Sequence, residues 1–225
     1  MNKRALDKIN KNGVLLVFPI KNRKEPHSLW SALHPKKIMR WEWDDSGDNN
    51  VANMWSLMKR LSSCREVVYS KWYQGRATFF SRPLFSAMLC VSMRAPQQEL
   101  SFIAQEILEV LENDSPLSTK ELKKITELQG KLNEPQYSRA MKELFSRLLI
   151  VGYGEVDDGA FPSLAVGATK TLYEDLWLEA AEMDPFDAQK QIERWMPSGA
   201  LTRKYFQSKI LAKIPPVANR TAKKK

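Results

Sequence analysis

The sequence predicts an α+β fold, mainly helical, with a winged-helix architecture, meaning a helix-turn-helix followed by a β-hairpin wing. Three observations carry that expectation. From Leu100 to Leu149, apolar residues recur at helical spacing in three successive segments. Ser118-Thr119-Lys120-Glu121 opens the middle segment with a hydroxyl and, three residues on, a carboxylate, which together satisfy the unpaired amides of a first turn. Leu149–Val156 and Ala160–Val166, separated by Asp157-Asp158-Gly159, then read as a hairpin.

In chain order, residues 1–12 read as a polar lead-in and Gly13–Ile20 as a buried strand. Ser28 caps a short helix over Leu29–Leu33, which Pro35 ends. Ile38–Trp43 alternates as a strand does, with Met39, Trp41 and Trp43 on one face. The acidic run that follows lacks the spacing and closing glutamate of an EF-hand and reads as a solvated turn. Val51–Leu61 is an amphipathic helix burying Val51, Met54, Trp55, Met58 and Leu61. Val67–Tyr73 is strand-like, Gln74-Gly75 breaks it, and Ser81 caps a helix from Pro83 to Met93.

Ala95-Pro96-Gln97-Gln98 is the internal boundary. Beyond it, Phe102–Leu111 forms the first helix of the winged unit, and Leu122 and Ile125 face inward from the second. The third starts at Glu134-Pro135, where proline suits a first turn, and turns Tyr137, Ala140, Met141, Leu144, Phe145, Leu148 and Leu149 inward. Helices over Thr169–Met183, from Pro185 and over Leu201–Ile214 complete the chain, with Phe186, Ile192, Trp195 and Met196 packing inward. The expected division is 1–95 as an α+β region, 96–167 as the winged-helix domain, 168–214 as C-terminal helices and 215–225 as a basic, disordered tail.

A net charge of +9 is concentrated at the two ends of the 225-residue chain, which favours nucleic acid as a partner through salt-dependent attraction to phosphate. No apolar run approaches the roughly 20 residues needed to cross a bilayer, and no signal-peptide core follows the basic start. Two cysteines allow at most one disulfide, so a reduced, cytoplasmic protein is the simplest expectation. His27 and His34 stand seven apart with no thiol or carboxylate cluster, so neither a metal nor a cofactor is expected.

Two stretches carry the candidate contacts. The third helix of the winged unit presents Gln136, Ser138, Arg139, Lys142, Ser146 and Arg147 away from its buried stripe, residue types that neutralise phosphates or reach base edges. Glu143 shares that side and opposes phosphate, as does the acidic wing tip. From Val67 to Arg82, basic and aromatic residues interleave, and Lys71, Tyr73, Arg76 and Arg82 suit stacking beside phosphate neutralisation. The same residues also fit a solvated face over an aromatic core, with Glu143 as an ion-pair partner. A DNA-binding protein, a transcription regulator and a protein-interaction module without enzymatic activity therefore all stay open.

Pro116–Leu122, Tyr137–Leu144 and Leu148–Gly152 resemble the winged-helix region of the AlkZ/YcaQ-like DNA glycosylases. Lys71–Arg82 resembles a stretch in smaller bacterial relatives grouped as AlkZ-related. The resemblance covers roughly residues 13–166. It implies tandem winged helices, duplex DNA as the partner and repair of alkylated or crosslinked bases as the setting. The glycosylases carry a Gln-x-Gln or Gln-x-Asp motif that positions water against the glycosidic bond. Before Cys90 this chain has a single glutamine, Gln74, and Gln189-Lys190-Gln191 lies outside the matching segment. No catalytic residue is therefore assigned, and a DNA glycosylase using Gln74 beside Arg76 or an unrecognised carboxylate stays open beside the readings without activity.

Overall fold

The computed structural model describes residues 3–41, 49–96, 99–157 and 162–210. The chain opens with α1 (Lys3–Asn12), where a polar lead-in was expected. Its charges disguise a short apolar stripe: Ala5, Leu6 and Ile9 are buried while the lysines stay in water. Gly13 ends it at φ +74° and hands over to β1 (Val14–Leu16), shorter than the expected strand. Ser28 caps α2 (Leu29–Leu33) as expected, its hydroxyl accepting from Ser31 N at 3.1 Å. Ile38–Trp41 does not form the expected strand. Asn22 takes both backbone groups of Met39, at 2.9 and 3.0 Å, so a side chain replaces the ladder there. Trp43 lies outside the described residues.

After α3 (Asn50–Ser62), β2 (Val67–Tyr73) and β3 (Arg76–Ser81) form a hairpin. Gln74 and Gly75 both adopt positive φ, +55° and +77°, as tight two-residue hairpin turns require. The sequence showed the break but not the second strand. Ser81 stands at the N-cap of α4 (Arg82–Arg94), but its hydroxyl makes no capping bond.

Next come α5 (Phe102–Asn113), β4 (Leu117–Ser118), α6 (Thr119–Ile125), α7 (Glu134–Ser146), β5 (Ile150–Val156) and β6 (Ser163–Ala168). The expected capping box on α6 is formed, with Glu121 N donating to Ser118 Oγ at 3.1 Å and Ser118 N to Glu121 Oε2 at 3.0 Å. Asp157 is described; the rest of the expected wing tip, Asp158-Gly159, is not. The long helix expected from Thr169 is broken at Tyr173 into α8 (Thr169–Leu172) and α9 (Glu174–Glu182). The Tyr173 hydroxyl donates to Val67 O at 3.3 Å. Finally, α10 (Pro185–Trp195) starts at an Asp184 cap, and α11 (Leu201–Ile210) completes the described chain. The expected extension to Ile214 and the tail 215–225 lie outside the described residues.

The fold is mixed α and β, mainly helical, around one antiparallel sheet of order β1-β3-β2-β5-β6-β4. β2 and β5 pair at Tyr69 and Gly152, so strands from either side of residues 95–96 share the sheet. Alternation splits the N-terminal strands between two cores: Val68, Trp72 and Phe80 pack with α4 and the C-terminal helices, while Val67, Tyr69 and Phe79 pack with α1, α2 and α3. A third cluster joins α5, α6 and α7 to β5 and β6. Three residues expected to be inside are exposed: Trp55, Ile125 and Phe186.

Burial raises the phenol pKa of Tyr69, Tyr137 and Tyr173 well above the ordinary tyrosine range. The unfolded chain releases these protons first, so the folded state holds more of them above about pH 10 and stability falls as pH rises. In an alkaline titration followed by phenolate absorbance and circular dichroism, these three are expected to ionise together with unfolding. Ionisation completed in the folded protein near pH 10 would show that they are solvated.

Candidate functional site

The basic face of α7 is built by the same periodicity that buries its other side. Tyr137, Ala140, Met141, Leu144 and Phe145 face the core, which leaves Gln136, Arg139 and Lys142 exposed. The turn between β2 and β3 comes against this face. A Cβ on Gly75 would stand 3.3 Å from Lys142 Cε, so the small turn residue lets the lysine stem lie across it.

From the far end of the chain, α11 is anchored by Phe206 and Ile210, and Tyr205 and Lys209, one turn apart, line the same groove. The Tyr205 ring lies 4.8 Å from Tyr73 and 5.0 Å, edge-on, from the buried Trp72. Lys209 Nζ stands 5.5 Å from the Tyr205 ring centre. Burial raises the Tyr205 pKa, and a backbone hydrogen bond from Gln74 opposes the rise.

These three elements enclose an open groove of about 470 Å³. Arg139, Lys142 and Lys209 supply its positive charge. Glu143 also lines it but is already engaged, pairing with Arg147 at 3.0 Å and accepting from Ser101 Oγ at 2.7 Å. Its opposition to a phosphate is thereby reduced.

The ten sequence-predicted contact residues separate; Gln136 is exposed and Ser138 donates to Glu134 Oε1 at 3.4 Å, and neither lines the groove. Arg139, Lys142, Ser146 and Arg147 line the groove, whereas Tyr73 is buried behind its wall with its ring tilted against that of Tyr205. Ser146 is nonetheless buried, its hydroxyl donating to Glu143 O at 2.9 Å. Arg147 is held by Glu143 and by Glu99 O at 3.2 Å. Arg76 is exposed one residue beyond the turn. Lys71 does not line the groove; desolvation by the surrounding protein lowers its pKa, and the nearby Glu155 carboxylate opposes the fall. Arg82 serves the fold, pairing with Asp175 and donating to Arg65 O at 2.8 Å.

The acidic end of β5 also has an internal role. Lys59 on α3 lies 3.7 Å from Glu155 and 3.9 Å from Asp157. Gln189-Lys190-Gln191 sits on α10, and none of the three lines the groove. Among the described residues there is no cluster of three or more potential metal ligands and no helix long and apolar enough to cross a membrane.

A model of the AlkZ-related family matches residues 2–210. The chain belongs to that family. No curated protein and no solved structure matches it. The match takes in all three elements around the groove, so the C-terminal helices are as much part of the AlkZ-related unit as the stretches that first showed the likeness. Sequence reasoning missed Tyr205, Ser208 and Lys209 as lining residues of this AlkZ-related groove. Their signal was available: Arg203-Lys204-Tyr205-Phe206 interleaves basic and aromatic residues, as Lys71–Arg82 does.

Proposed function

We propose that this AlkZ-related protein binds duplex DNA along the groove between α7, the β2–β3 turn and α11, in the repair of alkylated or crosslinked bases. In this reading residues 96–167 act as a winged-helix unit, with α5, α6 and α7 as its three helices and β5–β6 as its wing. The observation that carries it is the convergence of Arg139, Lys142 and Lys209, distant in sequence, on one groove whose acid is already paired. Burial of Ser146 leaves the earlier turns of α7 as its accessible part, which favours phosphate contacts over deep insertion of the whole helix.

The test is fluorescence-anisotropy binding to plain and alkyl-damaged duplexes across a salt series. Three phosphate-neutralising cations are expected to give a log–log salt slope of roughly −3. Preference for the damaged duplex supports the repair setting, and absence of binding at low ionic strength would sink the proposal.

A second reading has its own observation. Trp55 and Trp41 are exposed beside Phe18, with ring centres 5.7 and 5.6 Å away, an aromatic cluster of the kind that docks proteins. Stoichiometric co-purification with a protein, together with indifference to DNA, would favour that interaction module.

A further inference from the structure

We infer that residues 211–225 bind back along α5, with Leu211 and Ile214 in an apolar cavity and the following cations on the glutamates beyond it. Ile210, the last described residue, lines a cavity of about 280 Å³ together with Pro96, Leu100, Leu108 and Leu149. The chain therefore leaves α11 at the wall of a mostly apolar space. The sequence that follows matches it: Leu211 comes next, and Ile214 follows Phe206 and Ile210 at the four-residue spacing of one helix face.

Across Leu100 and Leu108 the cavity runs into an open groove of about 850 Å³, where Glu99, Glu109 and Glu112 join the same two leucines. Leu108 and Glu112 stand one helical turn apart, so a single face of α5 changes from apolar to acidic along its length. Glu109 and Glu112 are exposed, and neither forms an ion pair among the described residues. Residues 211–225 carry the opposite sign in the matching order. Beyond Ile214 come Arg220 and Lys223-Lys224-Lys225, and the segment has no acid. At about 3.3 Å per extended residue it spans up to roughly 50 Å, against about 18 Å for the 12 residues of α5, so its reach is ample. Exposed ion pairs hold a chain weakly, so burial of Leu211 and Ile214 is the anchor and the glutamates set the direction. Lys209 lines both this cavity and the basic groove. Where DNA occupies that groove, its phosphates compete with the α5 glutamates for the same cations, a consequence that rests on the DNA-binding reading.

The experiment treats the full chain, as an equal mixture of unlabelled and heavy-isotope-labelled protein, with a carbodiimide that joins lysine amines directly to carboxylates. Crosslinks within one chain from Lys223–Lys225 to Glu109 or Glu112 are expected, falling at least about fivefold in Ile214→Asp, which removes an apolar anchor. Glu109→Gln with Glu112→Gln, both at exposed positions, is expected to speed tryptic cleavage after Arg220 about fivefold. Crosslinks scattered over other carboxylates, crosslinks only between chains, or cleavage indifferent to the glutamates overturns the inference. Duplex DNA is expected to remove the crosslinks. Their persistence at saturating DNA overturns the competition and leaves the docking in place. Failure of DNA to bind at low salt overturns the groove reading alone.

Discussion

Reversing charge at Arg139 and Lys142 together, as Arg139→Glu with Lys142→Glu, is expected to lower affinity for duplex DNA more than about 100-fold at low salt. Each lost phosphate contact removes roughly one unit of salt slope, and each new carboxylate adds repulsion. Both side chains are exposed, so the melting temperature should move little. Arg82→Ala provides the contrast. Arg82 is engaged with Asp175 and Arg65, so its loss should reduce stability and leave DNA affinity near wild type. Unchanged binding by the double reversal would place the contact surface elsewhere on the protein. A large loss with Arg82→Ala would restore to that residue the role its sequence position first implied.

Gly152→Val is expected to destabilise the protein by about 3 kcal/mol, at the upper end of overpacking penalties. A Cβ at Gly152 would stand 2.5 Å from Tyr69 Cδ1 and 2.8 Å from its Cε1. Tyr69 is buried on the opposing strand and cannot swing into solvent. This contact lies at the β2–β5 seam, where the strands from either side of residues 95–96 join. The whole sheet should therefore melt as one transition, lowered by roughly 10 °C for a chain of this size. Gly199→Ala, where an added Cβ meets nothing within 4 Å, is the matching control. If calorimetry showed two separate transitions with only one of them shifted, the seam would not be the structural joint that its register implies.

Local sequence determined the elements whose signals are short-range. The Ser118–Glu121 capping box, the Ser28 cap, proline at the start of α7 and the inward stripe from Tyr137 to Leu149 all appear where their spacing put them. Each depends on contacts within a few residues, so local composition suffices. Arg139 and Lys142 could be placed on the accessible face of α7 for the same reason. The lysine-rich α1 and the second hairpin strand, Arg76–Ser81, were harder to read because their apolar signal is short and is confirmed by partners far along the chain.

The tertiary structure alone decided what those side chains do. Arg139, Arg147 and Arg82 look alike in sequence. The first lines an open groove, the second is held by Glu143 and Glu99, and the third is spent on Asp175 of α9. Tyr205 and Lys209 reach the same groove because Phe206 and Ile210 anchor α11 in a core built from strands more than a hundred residues away. Helical periodicity fixes which direction a residue faces. Whether that direction meets water, a counter-ion or another helix depends on long-range packing, which brings together residues that no local pattern links.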